Sequence, residues 1–155
     1  MKYLARTLGL GLCLASTSGC ATGSDSGSWV ELKGHHYIVE VADDNTERSR
    51  GLMFRDDMAA DHGMIFIHDA EEPQAYWMKN TKIPLDILYF DHNRKLVSAQ
   101  RNVPPCSLGD QCPPFASEGP ALYVLELNAG QAEAIGLNPG DELKFGPGIP
   151  TSTER

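Results

Sequence analysis

The sequence predicts a mainly β fold, a single antiparallel β-sandwich or barrel domain with one or two short helices. Three observations lead there: seven or eight short apolar runs recur along the chain, turn residues separate them at close spacing, and only two stretches carry helical patterning. A doubly wound parallel sheet would need helices of about ten or more residues between its strands, and these are missing.

Ahead of the domain, Lys2 and Arg6 precede an apolar run, Leu8 to Ala15, that is too short to span a bilayer. Small residues then lead to Cys20. Residues 1–19 read as a bacterial secretory signal. Thr17-Ser18-Gly19-Cys20 resembles the end of a lipoprotein signal, in which the cysteine is acylated and opens the mature chain, although such signals usually carry Leu where Thr17 stands. Ordinary cleavage near Cys20, giving a soluble periplasmic protein, is the alternative. Cysteine usage fits lipidation: Cys13 leaves with the signal, Cys20 takes the lipid, and Cys106 and Cys112 remain as one pair. Ala21 after the acylated cysteine resembles outer-membrane sorting, so the expected place is the periplasmic face of that membrane, with the acyl anchor as membrane contact.

The formal charge is -8, and losing Lys2 and Arg6 with the signal makes it more negative. Such a chain repels phosphate backbones and anionic lipid, so nucleic acid is not an expected partner. Residues 20–28 are a Ser/Gly-rich linker, residues 29–145 one domain, and residues 146–155 a disordered tail.

Within the domain, Tyr37 to Val41 alternates as a strand with one wet face. Asp44 and Asn45 offer an N-cap to a short helix over Thr46 to Phe54, with Arg48, Leu52 and Arg55 at helical spacing. Gly63 to His68 is an apolar strand, Glu71-Glu72-Pro73 a loop, and Gln74 to Met78 another strand. Lys79 to Pro84 turns or crosses over. Leu85 to Phe90 and Lys95 to Gln100 pair as a hairpin about Asp91-His92-Asn93-Arg94. Residues 102–120 read as a long proline-rich irregular segment. Leu122 to Leu127 is a strand, Gln131 to Ile135 one or two helical turns, Asn138 to Asp141 a turn and Glu142 to Phe145 the last strand.

Two acids fall in apolar strands. Asp86 shares a face with Leu88 and Phe90, and Glu126 shares one with Leu122 and Val124. Each has two readings: a carboxylate with raised pKa or half of a metal site at a pocket floor, or a structural acid that accepts backbone N–H groups or pairs with Arg48, Arg50, Arg55, Lys79 or Arg101. Beside Asp86, Trp77-Met78-Lys79-Asn80-Thr81 offers a stacking surface, a mobile charge and directional hydrogen bonds, the mixture of a polar-ligand pocket. The plainer reading makes Trp77 a core residue and Asn80-Thr81 a turn. The five histidines are scattered without metal-ligand spacing; His62 and His68, flanking a buried strand, are the two worth testing. No metal or cofactor is expected. Cys106 and Cys112 close a local disulfide rather than a Cys-x-x-Cys redox pair.

Together, Thr46-Glu47-Arg48, Arg50-Gly51-Leu52-Met53-Phe54-Arg55, Gly63-Met64-Ile65-Phe66, Trp77-Met78-Lys79-Asn80-Thr81, Pro84-Leu85-Asp86-Ile87, Val124-Leu125-Glu126-Leu127 and Gly140-Asp141 resemble the family of domain of unknown function 192. The ordered set spans Glu40 to Phe145. The resemblance implies a jelly-roll-like β-sandwich, and the Cys106 to Cys112 loop looks like a variant of secreted members. It implies no activity and no catalytic residues.

Three functions are open. The first is an envelope module that binds a small polar ligand, a glycan or a partner protein: Tyr76 and Trp77 stack, Lys79, Asn80 and Thr81 orient, and Asp86 holds Arg50 or Lys79. The second is a hydrolase or lyase on an envelope polymer with Asp86 and Glu126 as acid and base, which requires both in one cleft. The third is a structural protein.

Overall fold

A computed structural model describes residues 27–150. Seven strands form one sheet: β1 (Trp29–Leu32), β2 (His35–Ala42), β3 (His62–Trp77), β4 (Leu85–Phe90), β5 (Leu96–Val103), β6 (Pro114–Asn128) and β7 (Leu143–Phe145). Their order across the sheet is β5-β4-β6-β3-β2-β1-β7. The sheet curls until its edges approach, where a Lys95–Glu142 bridge joins the start of β5 to the start of β7. The mainly β expectation holds, in the form of a half-barrel. The expected signal, acylation site and most of the expected linker lie outside the described residues.

All pairings are antiparallel except β2 with β3, which run parallel. Residues 43–61 make that crossover around one short helix, α1 (Asn45–Arg50), so a parallel pair forms here without a long helix. The Asp44 carboxylate caps α1 by accepting from the Glu47 N–H at 2.8 Å. The helix stops earlier than its spacing predicts because Gly51 turns to φ 46°. There its N–H still donates to Glu47 O, and the chain folds back over Phe66, only 3.3 Å from where a Cβ on Gly51 would sit.

The sheet is buried on both faces at its centre, where all six residues of β4 and Ala121 to Leu127 of β6 are covered. One cluster fills the inside of the curl with side chains from all seven strands, Val30, Val39, Ile65, Leu88, Leu96, Leu125 and Leu143 among them. The other lies outside, where Leu52, Met78 and Ile83 cover Phe66, Ile87, Tyr89 and Val124. Leu122 joins the inner cluster, so Glu126 shares its face with Val124 but not with Leu122.

Two expected loops are strand. Glu71-Glu72-Pro73 lies within β3 and Pro114 to Pro120 within β6, paired from Glu72↔Ala121 to Trp77↔Pro114 across one register shift, with a second setting this stretch off from Ile67↔Tyr123. The irregular segment shrinks to the connection between β5 and β6, which holds one 3-10 turn, Gly109–Gln111, and the Cys106–Cys112 disulfide. At the ends, Ser28 belongs to the fold rather than to the linker, accepting from Val39 N and donating to Gly148 O. Residues 146–150, placed by sequence in the tail, close on the domain: Gly146 N donates to Trp29 O, and Ile149 is buried in the inner cluster.

Asp86 belongs to this frame. Between Leu85↔Val103 and Ile87↔Gln100, β5 spends Arg101 and Asn102 opposite the single residue Asp86, a bulge that turns Asn102 to φ 53°. The fully buried Asp86 carboxylate accepts from Asn102 N with one oxygen and from Ala132 N with the other, each at 2.8 Å. Ala132 lies in the first turn of α2 (Gln131–Ala134), whose cap residue Gly130 has no side chain to offer. A carboxylate from β4 therefore serves as the missing cap.

Candidate functional site

The first turn after α1 lies against the middle of β3, and Arg48 pins it there. Its guanidinium donates to Asp43 O, Ile67 O and Asn45 Oδ1 and pairs with Asp69. Past Gly51 the chain is held from its other side by Phe54 N–H donating to Asn80 O at 2.8 Å. Both residues have left-handed backbone, Phe54 at φ 66° and Asn80 at φ 56°, and the Phe54 ring is left 62% exposed. Such strain in a non-glycine pair persists only where the surroundings enforce it, and it concentrates at binding sites.

Between the α1 turn and the sheet lies a narrow well of about 30 Å³. Arg50 and Trp77 are exposed at its mouth, Tyr76 forms part of its wall, and buried Thr81, Phe66 and Glu126 lie deeper. Room of that size holds one or two small groups. A broader cleft of about 400 Å³ adjoins it and shares Arg48, Tyr76 and Trp77.

Glu126 is the chemical centre of the well. It is 4% exposed, and among the described residues no hydrogen bond or ion pair reaches its carboxyl. Burial alone pushes its pKa up to about 8. Yet no wholly inaccessible side-chain oxygen or nitrogen among the described residues lacks a partner, so the carboxyl still touches the space of the well. Around it stand aromatic rings. Tyr76 packs edge-on to Phe66 at 4.9 Å and to Tyr89 at 6.2 Å, and its hydroxyl meets His68 Nε2 at 2.9 Å. Burial first, and Glu126 second, raise the pKa of both tyrosines.

Trp77 is a surface residue, 44% exposed, and not part of the core. Lys79 Nζ lies 4.9 Å from its ring centroid and also pairs with Asp110 of the disulfide loop. Lys79 further bridges to Cys106. The disulfide thus positions the cation that steadies Trp77. Reduction is expected to shift Trp77 emission in a Trp29→Phe background and to expose residues 104–113 to protease. The small ring contributes only about 2 kcal/mol, so the cooperative unfolding transition should survive. Global unfolding on reduction would show instead that the ring holds the sheet.

Of the residues singled out by sequence, Arg50, Tyr76, Trp77, Thr81 and Glu126 meet at this well, while Asn80 and Thr81 line a neighbouring pocket with Phe54 and Cys106. Lys79 acts through Trp77. Asp86 is excluded. Asp86 pairs with Leu127 across the β4–β6 ladder and Glu126 with Ile87, one position apart, so the two side chains point to opposite faces of the sheet. Neither Arg50 nor Lys79 is held by Asp86, whose partners are backbone N–H groups. Asp86 and Glu126 therefore cannot serve as the acid and base of one cleft. Sequence reasoning missed Phe66 and Met53, which also line the well. Their place in the stretches that carry the family resemblance was the available signal, since their own chemistry does not set them apart from ordinary core residues.

The family model for DUF192, described as an uncharacterized ACR, matches residues 28–145. The chain belongs to the DUF192 family. A search of curated proteins finds no match. Two solved structures are similar over 76% of this chain. One, from Sinorhizobium meliloti 1021 and described as a candidate transcription regulator, is 39% identical with a TM-score of 0.70 and is covered over 92% of its own length. The other, a protein of unknown function from Novosphingobium aromaticivorans DSM 12444, is 34% identical with a TM-score of 0.68 and is covered over 81%. Five of the seven stretches that carried the DUF192 resemblance reach the well, through Arg48, Arg50 to Met53, Phe66, Trp77, Thr81 and Glu126, while Pro84 to Ile87 and Gly140-Asp141 lie away from it.

Proposed function

We propose that this DUF192 domain is a binding module that takes the tip of a small polar ligand into the Glu126 well, with Trp77 and Arg50 engaging the rest of the ligand at its mouth. The observation that carries this reading is the buried carboxyl without a protein partner, facing open space. A group of this kind raises the energy of the empty protein and is stabilised by whatever supplies a hydrogen bond or charge. We place the module in the cell envelope, tethered through an acylated Cys20. The regulator description of the Sinorhizobium protein does not extend here to nucleic-acid binding, because a chain of formal charge -8 repels phosphate backbones.

The test is thermal unfolding of the full chain against a panel of envelope glycans, peptides and small charged solutes. A ligand that prefers the native state raises the transition by mass action. The expected result is a selective upward shift that Trp77→Ala abolishes. An unmoved transition with every class, or a shift indifferent to Trp77, would remove the reading.

A further inference from the structure

Resting on that reading, we infer that the ligand tip is a primary ammonium group on a flexible carbon chain whose other end carries a carboxylate or phosphate. The well chooses the tip by charge, wall and size. Of its two buried polar residues, Thr81 donates its hydroxyl to Lys79 O, which leaves the Glu126 carboxyl, reached by no cation of the described protein, with the aromatic residues Phe66 and Tyr76 in the lining around it. A carboxylate tip would leave the acid protonated and gain no ion pair with it. A hydroxyl would offer a hydrogen bond but leave the acid without an ion pair. A well of about 30 Å³ suits a slender tip such as an aminomethylene group better than a sugar ring.

The anionic end follows from the mouth. Arg48 is already committed to Asp43 O, Ile67 O, Asn45 and Asp69. Arg50, two residues on, is exposed at the same mouth, and among the described residues no carboxylate pairs with it. A guanidinium so placed takes a carboxylate or phosphate in a bidentate grip. Trp77 covers the carbon chain between the two ends.

A proton leaves when the ammonium enters. The empty well favours the protonated acid, the ion pair needs the carboxylate, and the displaced proton goes to solvent. The groups facing Glu126 do not blur this signature. Tyr76 from β3 and Tyr89 from β4 have pKa values raised further from neutrality, and the other charged groups lining the well are the guanidinium groups of Arg48 and Arg50 from α1. His68, whose Nε2 meets the Tyr76 hydroxyl, is controlled by a His68→Gln variant.

Calorimetric titration of the full chain with 4-aminobutyrate, 6-aminohexanoate, O-phosphoethanolamine and Nα-acetyl-lysine tests the inference. The last presents the same amine as a peptide side chain would, and its rank against the free amino acids separates the two sources. Binding by at least one is expected, with affinity rising between pH 6 and 8 and net proton release across buffers of different ionisation heat. Glu126→Gln should weaken binding about tenfold or more, and Arg50→Ala should weaken it towards the level of n-butylamine. Equal binding of 4-hydroxybutyrate or glutarate, or affinity independent of pH, overturns the amine assignment while leaving the well a binding site. No binding of any amine at millimolar concentration overturns it too, and the broad thermal panel then decides separately whether the well binds anything.

Discussion

Glu126→Gln is expected to stabilise the protein above neutral pH and to flatten the dependence of its stability on pH. Burial lifts the Glu126 pKa from the ordinary 4.5 to about 8, so between these values the folded chain holds a proton that the unfolded chain has released. Stability is then full below about pH 4.5 and falls as pH rises through 8. A gap of this width corresponds to about 5 kcal/mol, the cost of ionising an acid where nothing receives its charge. The amide never ionises. The variant should match the parent at pH 4 to within about 1 kcal/mol and exceed it increasingly up to pH 9. Denaturant melts of both proteins across that range give the difference directly. Parallel curves would mean that the acid is already satisfied, and the case for the well as a binding site would go with it. Set beside the lost amine affinity, the gain would be the stability the fold gives up to keep the site.

Asp86→Asn is expected to do the opposite. Both carboxylate oxygens accept from backbone N–H groups in a fully buried place, and hydrogen bonds to a charged group each contribute about 1.5 to 3 kcal/mol. Asparagine keeps one oxygen and turns an amide N–H toward the other donor. The loss should be about 3 kcal/mol, larger for Asp86→Ala, and read as a lower denaturant midpoint. The damage should centre on the bulge at Asn102 and the first turn of α2, where amide exchange would quicken before it does in β3. A protein of unchanged stability would deny Asp86 this role. The two acids thus part company: one variant strengthens the fold and empties the site, the other weakens the fold and leaves the well's lining untouched.

That both acids demanded explanation was legible from their apolar neighbours alone. Which of them faces a well was not. The answer depends on the β4–β6 register, Asp86↔Leu127 and Ile87↔Glu126, and register is a long-range fact that neither strand encodes by itself. Nor could side-chain chemistry name the partners of Asp86, because they are main-chain groups at a bulge and a helix start, distant in sequence. The strands read correctly were those whose core contacts impose an apolar pattern, such as Leu85 to Phe90. The missed strand segments, Glu71 to Pro73 and Pro114 to Pro120, carry the acids, glycine and prolines of loops. They pair because β3 and β6 extend each other beyond the core, where register shifts accommodate residues that a regular ladder rejects. Trp77 and Tyr76 sit on that extension, so the part of the fold hardest to read is the part that carries the mouth of the site.

The strand order also sets when this molecule can come into being. β6 is the bond between β3 and β4, which do not touch through a ladder of their own, and it is among the last strands in the chain. Before residue 114 is available, β1 to β3 and β4 to β5 are two separate ribbons with open edges, and β1 still waits for β7. Closure by such distant pairings is slow, and little of the sheet is stable until it happens. Under the envelope location proposed above, a chain passed unfolded through a membrane would gain from this order. It would stay threadable while it emerged and close once β6 and β7 were free.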